Sequence, residues 1–317
     1  QIPEEIRVKF KHHLSVTTLS RSARQRVLFN RHSHKVTVDP LTQIWKMFGH
    51  VIHSILEKHG GDGDKVEARM GIIVPVLIRG KRVQVYMHGA ADRYNSENDS
   101  YYKMMYDPKG NGIIQDYKIT VAESVMYEEK SEYHAQLNVL AYIFRKNGYP
   151  VGQIENIFIF RNWSKKHYKE GGLYPIEPAA VSQIPMWSDE KCLKYIQDRI
   201  IVHISAESLE DDKIDYCTDQ ERWMKQAEFR VYKVDKVKNE AGELVDKVQA
   251  KSKFKTLSRI EAQDWTEQPD NAYARLKVKG KNTEEPDMEK PVIYLIKEIK
   301  PAAVRCAWCE ISYYCNQ

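Results

Sequence analysis

Two aspartates and a lysine, Asp92, Asp116 and Lys118, have the residue types and spacing that metal-assisted hydrolysis of a phosphodiester requires. Asp116 and Lys118 interrupt the apolar segment 113–121, which has the composition of a β-strand, so we expect their side chains on one face. Asp92 follows a second strand-like segment, 83–88. If these strands are neighbours, the two carboxylates can hold one Mg2+ or Mn2+ ion, and the lysine ammonium can stabilise developing negative charge.

The acid-x-Lys spacing alone does not identify a catalytic site, because the sequence repeats it. The other occurrences lie in polar or turn-like segments: Asp107 and Lys109, Glu128 and Lys130, Asp189 and Lys191, Asp211 and Lys213, and Glu298 and Lys300. Only Asp116 and Lys118 lie in an apolar strand, where an unpaired buried acid would cost several kcal/mol. A structural Asp–Lys ion pair is the alternative interpretation of these two residues.

The segments that must position these residues alternate between helical and strand-like patterns, which indicates an α/β fold of the α+β type. The tripeptide Arg79-Gly80-Lys81 predicts a hairpin turn, and Ser131 is placed to cap a helix. A loop is predicted from residue 162 through residue 185. The predicted elements are a helix at 42–58, strands at 67–77, 82–88 and 113–121, a helix at 131–146, a strand at 154–161 and a helix at 188–203.

The composition changes after residue 210, where apolar residues begin to alternate with lysine and arginine. We therefore expect two domains, a main one over residues 1–210 and a small α+β subdomain over residues 211–317. The predicted elements of the subdomain are a basic β-hairpin at 229–234 and 244–254, a helix at 256–268, and strands at 273–278 and 292–299.

Four short motifs follow one another in the main domain: Gly49-x-x-x-His53-x-x-Leu56-Glu57, Gly89-Ala90-Ala91-Asp92, Asp116-Tyr117-Lys118 and Gln136-Leu137. In this order they resemble the motifs of the RecB-like PD-(D/E)XK nucleases, which include bacteriophage-type exonucleases. The resemblance covers residues 49–142 and extends, with the cysteine-rich tail, over most of the chain. It implies a restriction-endonuclease-like αβββαβ core, dependence on Mg2+ or Mn2+, and DNA as the substrate.

The same resemblance implies a role for each motif residue. Metal binding is assigned to His53, Asp92, Asp116 and the main-chain carbonyl of Tyr117, and catalysis to Asp92, Asp116, Lys118 and Gln136. A surface or core histidine is the alternative interpretation of His53. One position departs from the family pattern, which often has a tyrosine four residues after the glutamine, because this chain has Leu140 there.

The cysteines are concentrated at the end of the chain. Cys306, Cys309 and Cys315, with Cys217 upstream, resemble the four-cysteine iron–sulfur motif of several RecB-like nucleases, which implies a 4Fe-4S cluster. Four thiolates also satisfy tetrahedral zinc, so zinc is the alternative. Cys192 shares a helical stripe with isoleucines and is predicted to be a core thiol.

The net charge of +5 favours a polyanionic partner but is also common among ordinary soluble proteins. The candidate phosphate contacts are the lysines of the basic hairpin and Arg21, Arg24, Arg26 and Arg31. No apolar stretch approaches the roughly 20 residues that cross a bilayer, and residues 1–11 lack the pattern of a secretory leader, so we expect no membrane span and a cytoplasmic location.

Taken with the resemblance, these patterns predict a metal-dependent exonuclease that acts on single-stranded or duplex DNA ends in recombination or repair, and that is phage-encoded. The chain has no GxxxxGK motif followed by Ser or Thr, so unwinding would need a helicase or recombinase partner. An endonuclease of the same fold and a catalytically silent DNA-binding module are the alternatives. The presence of Asp92, Asp116 and Lys118 together argues against a silent module.

Overall fold

The computed structural model describes residues 9–37, 40–58, 64–96, 112–125, 130–169, 174–239, 243–250, 252–277 and 284–315. It divides into two compact units, Gln1–Cys217 with Glu310–Gln317, and Thr218–Cys309. The sequence predicts a boundary after residue 210 and assigns the last residues to the second domain. They fold with the first unit instead, because Tyr314 stacks on His32 at 4.6 Å and Cys315 Sγ accepts a hydrogen bond from Arg24 Nε at 3.2 Å.

The first unit has the mixed α+β architecture that the sequence predicts. Its elements are β1 (His12–Ser15), α1 (Val16–Leu19), α2 (Ala23–His32), α3 (Pro40–Lys58), β2 (Asp64–Ile78), β3 (Lys81–Asn95), β4 (Gly112–Thr120), α4 (Ser131–Lys146), β5 (Val151–Phe160), α5 (Lys165–Lys169), β6 (Ala179–Gln183) and α6 (Asp189–Ala206). From α3 to β5 the order is helix, three strands, helix and strand. The predicted loop before residue 185 contains β6, a short strand whose composition gives little strand signal and which is ordered by pairing with β5.

Six strands form one mixed sheet, in which β3 changes its partner along one edge. β2 pairs antiparallel with β3 from Asp64 opposite Asn95 to Ile78 opposite Lys81, around a two-residue turn. On its other edge, β3 pairs first with β1 in parallel and then, over only three positions, with β4. The segment Gly89-Ala90-Ala91-Asp92 lies between these two partners. β5 then runs parallel to β4, and β6 runs antiparallel to β5.

Helix α4 is apolar nearly all round because it packs between the sheet and α6. A Cβ atom on Gly89 would lie 2.8 Å from Val16 Cγ2 and 2.9 Å from Leu140 Cδ1, so glycine is needed for both helices to contact β3. Ser131 is the first helical residue rather than the cap, which is Lys130. Asn138 is buried in the helix, and its Oδ1 accepts a hydrogen bond from the Trp187 amide at 2.6 Å.

The second unit is a small α+β unit built on a four-stranded sheet. Its elements are β7 (Met224–Lys225), β8 (Glu228–Lys238), β9 (Leu244–Val248), β10 (Phe254–Thr256), α7 (Arg259–Glu267), α8 (Pro269–Ala272), β11 (Tyr273–Lys277), β12 (Glu284–Pro291), β13 (Ile293–Ile299) and β14 (Ala302–Ala303). Strands β8 and β9 form the predicted basic hairpin, and β8 also pairs with β10 and β13. Among the described residues of the chain, no helix has the length and hydropathy needed to cross a membrane.

Candidate active site

Asp92 lies inside β3, which extends well beyond the predicted end of that strand. The β3–β4 ladder stops at Arg93 opposite Gln115, and one further step in the same register would place Asp92 opposite Asp116. Because the main-chain pairing ends here, the amide of Tyr117 donates instead to Asp92 Oδ2, at 2.7 Å. The end of the ladder therefore fixes one oxygen of the Asp92 carboxylate.

Glu67 is a site residue that is not among the predicted ones. The β2–β3 ladder pairs Val66 with Arg93 and Ala68 with Ala91, so Glu67 lies at the position opposite Asp92, where the pairing is interrupted. The φ angle of Glu67 is +49°, in the left-handed region that is unusual for a residue with a side chain. Backbone strain of this kind often accompanies functional sites.

His53, on helix α3, completes a group of three potential metal ligands. Its Nδ1 lies 3.5 Å from Asp92 Oδ2. Within the part of the chain that the structure describes, His53, Glu67 and Asp92 are the residues whose ligand atoms all lie within 4.8 Å of one another. The group contains two of the four predicted metal-binding residues and adds Glu67. Tyr117 contributes its amide to Asp92, and the predicted role of its carbonyl stays a prediction.

Asp116 and Lys118 lie on one face of β4, as the strand periodicity predicts, and the ammonium of Lys118 forms an ion pair with Asp116 Oδ2. Gln136, on α4, joins both side chains. Its Nε2 donates to Asp116 Oδ1 at 2.9 Å, and its Oε1 accepts a hydrogen bond from Lys118 Nζ at 3.4 Å. Asp116 is thus held by the lysine and the glutamine beside the three-residue group, rather than inside it.

The electrostatics of the site favour an added cation. Burial raises the pKa of Asp116, and the negative charge of Asp92 raises it further, while the charge of Lys118 opposes both effects. Burial also raises the pKa of Glu67, again with a contribution from Asp92. The hydrogen bond to Asp92 raises the pKa of His53. The Arg69 guanidinium, 3.9 Å from Glu67 Oε2, opposes the shift of Glu67. The carboxylates of Asp92 and Asp116, and those of Asp92 and Glu67, still repel each other, and a divalent cation would relieve this repulsion.

The aromatic residue beside Lys118 is Tyr133, which was not predicted. Lys118 Nζ lies 4.8 Å from the centre of the Tyr133 ring, at a distance typical of a cation–π contact. Tyr133 precedes Gln136 by three residues, so both lie on the same side of α4. Leu140, at the position where the resembling family often has tyrosine, is instead buried in the core against Gly89.

The four arginines predicted to contact phosphate differ in exposure. Arg24 is 2% exposed and its Nη1 donates to the carbonyls of Asp211 and Ile214, so its prediction is wrong, because burial and internal hydrogen bonds leave no surface for phosphate. Arg26 and Arg31 form ion pairs within the first unit, with Glu207 and Asp211 respectively. Arg21 is exposed and remains a candidate.

All five cysteines lie among the described residues, and none of them forms a disulfide. Cys192 is fully buried, which confirms its prediction as a core residue. Of the four predicted cluster ligands, Cys217 and Cys315 belong to the first unit and Cys306 and Cys309 to the second. In the first unit, Cys217 Sγ contacts Ser22 Oγ at 3.0 Å. Cys315 Sγ accepts the hydrogen bond from Arg24, which lies in the first turn of α2. The iron–sulfur or zinc assignment stays a prediction.

Comparison with known proteins identifies no family. No family model and no curated protein matches the chain. Among solved structures, one described as "Crystal structure of SSO0001" is similar with a TM-score of 0.40 and 14% sequence identity, over 62% of this chain and 81% of that chain.

Proposed function

We propose that the first unit is a Mg2+- or Mn2+-dependent deoxyribonuclease of the PD-(D/E)XK type, which hydrolyses DNA from its ends as an exonuclease. The observation that carries the proposal is the approach of His53, Glu67 and Asp92 to within 4.8 Å, beside a buried carboxylate that is paired with a lysine. The helix, three strands, helix and strand from α3 to β5 support the same conclusion, because this order carries all four motifs.

The residues present fit a hard divalent cation. Two carboxylates and an imidazole can reach a common ion, and carboxylate oxygens are the ligands that suit both Mg2+ and Mn2+. Asp116 Oδ2 is buried and forms an ion pair with the Lys118 ammonium. When bound, the cation would neutralise phosphate charge and lower the pKa of a water molecule.

The chain supplies the positioning and the fixed positive charge. The Lys118 ammonium has three N–H donors, and among the described residues Asp116 and Gln136 accept from two of them, so the third can donate to a phosphate oxygen. Gln136 holds Lys118 and Asp116 together, and the Tyr117 amide holds Asp92. These contacts keep the charged groups in place before substrate arrives, which is the condition for effective electrostatic stabilisation of a transition state.

Linear DNA should lose nucleotides from its ends when Mg2+ or Mn2+ is present and should stay intact in EDTA. The assay compares end-labelled single strands, linear duplexes and closed circular DNA, and separates the products by size. Cleavage of the closed circle would contradict an exonuclease and support the endonuclease of the same fold. DNA binding without metal-dependent cleavage would support the silent module and contradict the proposed activity.

Glu67→Gln should weaken Mn2+ binding by about 10- to 100-fold, because it replaces one carboxylate of the three-residue group with a neutral amide. Isothermal titration of the apo protein with MnCl2 measures the affinity directly. Glu57→Gln is the matched control, because Glu57 is an exposed glutamate whose charge also acts on Glu67. Equal Mn2+ affinities for the two variants would show that Glu67 contributes only general negative charge, and would remove it from the site.

A further inference from the structure

A cavity of about 550 Å³ opens in the first unit beside Lys118, between the end of β4, the start of α4, and strands β5 and β6. Its volume lies within the range of small-molecule binding sites. Its lining is more apolar than polar and includes Val125, Tyr133, Phe158 and Ile176. No residue of the four motifs lines it, so the roles derived above leave it unexplained.

Strand register connects the cavity to the site. Lys118 pairs with Phe158 across β4 and β5, and Phe158 pairs with Ala180 across β5 and β6. Paired residues in neighbouring strands point to the same face, so the row runs from the ammonium into the cavity, where Phe158 and Ala180 form part of the wall. Thr120, two residues after Lys118, also lines the cavity on this face.

Tyr133 forms the boundary between the ammonium and the cavity. Its ring centre lies 4.8 Å from Lys118 Nζ and 6.5 Å from the ring centre of Phe158. A ligand in the cavity would therefore meet two aromatic rings while its charged end lies beside a lysine. Lys130, Glu177 and Ser182 also line the cavity, so its polar groups include a cation and an acceptor for the donors on the edge of a flat ligand.

We propose that this cavity binds the base of an unpaired nucleotide at a DNA end, with the phosphate of the same nucleotide at Lys118. A nucleobase has apolar faces and polar edges, as the aromatic walls and polar lining groups require, and its phosphate matches the charge of the lysine. The inference rests on the proposed nuclease function and specifies its substrate as a strand whose terminal base is unstacked and unpaired.

Removing the terminal base should reduce kcat/KM by about 5- to 150-fold, the factor expected for one base stacked on aromatic side chains. The assay compares a single-stranded oligonucleotide with a natural terminal nucleotide and the same oligonucleotide with a tetrahydrofuran abasic residue in that position. Each end is tested separately, so the comparison also gives the polarity of cleavage. Fluorescence anisotropy in Ca2+ compares binding of the same pairs independently of cleavage.

The variants Tyr133→Ala and Ile176→Asp should reduce this preference for the natural nucleotide. Ile176 tests the cavity without touching Lys118, since it is 66% exposed on another part of the wall. Leu77→Asp is the matched control, because Leu77 is 68% exposed on β2 and does not line the cavity. The control should keep the full preference of the wild-type protein.

Two outcomes separate this inference from the function on which it rests. Equal cleavage and equal binding of the natural and abasic strands by the wild-type protein would overturn the base pocket while leaving the nuclease intact. A preference that survives unchanged in both cavity variants would also overturn it. If no DNA is cleaved in Mg2+ or Mn2+, the nuclease proposal fails, and the anisotropy comparison still decides whether the cavity binds a terminal base.

Discussion

Asp116→Asn should lower the rate of metal-dependent DNA cleavage by about 1000-fold or more, while the protein stays folded. The buried Asp116 carboxylate accepts a hydrogen bond from Gln136 and forms an ion pair with Lys118. The negative charge of Asp92 also acts on it. Asparagine has nearly the same shape, so Gln136 keeps a possible acceptor, but the negative charge that attracts a divalent cation is lost. The initial rate on linear DNA at saturating Mn2+ measures the effect.

Metal-dependent stability provides a second measurement on the same variant. A cation that binds only the folded protein raises the melting temperature, so MnCl2 should stabilise the wild-type protein and stabilise Asp116→Asn much less. Asp189→Asn is the matched control, because Asp189 has the same acid-x-Lys spacing but pairs with Arg145 at the protein surface. Wild-type activity in Asp116→Asn, or an equal loss in the control, would contradict a catalytic role for Asp116.

Much of the site could be predicted from local patterns in the sequence. Asp116 and Lys118 share a face because residues two apart in a strand always do, and the apolar segment around them identified the strand. The position of Glu67 opposite Asp92 could also have been predicted. A two-residue turn at Arg79 and Gly80 sets the register of the hairpin, and counting back from it places Glu67 opposite Asp92.

Other features depend on contacts that no local pattern encodes. Strand β6 has a weak strand composition and exists because β5 offers a free edge. Arg24 looks like a surface cation in the sequence, but main-chain carbonyls far along the chain accept its hydrogen bonds. Leu140 fills the core against Gly89, and the aromatic neighbour of Lys118 comes from Tyr133, one turn before Gln136. The roles of Leu140 and Tyr133 follow only from the packing of α4 on the sheet.

Lys118→Met separates a catalytic lysine from a structural ion pair, since methionine keeps an unbranched side chain of similar length without the charge. We expect the cleavage rate to fall by about 100- to 1000-fold, because the donor available to a phosphate oxygen is lost. Mn2+ affinity should be kept or increased, because removing a neighbouring positive charge favours a bound cation. Single-turnover cleavage and isothermal titration with MnCl2 measure the two quantities.

The two interpretations of Lys118 predict opposite patterns. A structural ion pair would make Lys118→Met less stable because Asp116 would lose its partner, yet the remaining folded protein would cleave DNA at the wild-type rate. If Lys118 is catalytic, Lys118→Met would cleave DNA more slowly at every Mn2+ concentration, including those that saturate the metal site. Lys191→Met, at the same spacing from Asp189, should change neither rate nor affinity. A normal single-turnover rate in folded, metal-saturated Lys118→Met would therefore leave the lysine with a structural role only.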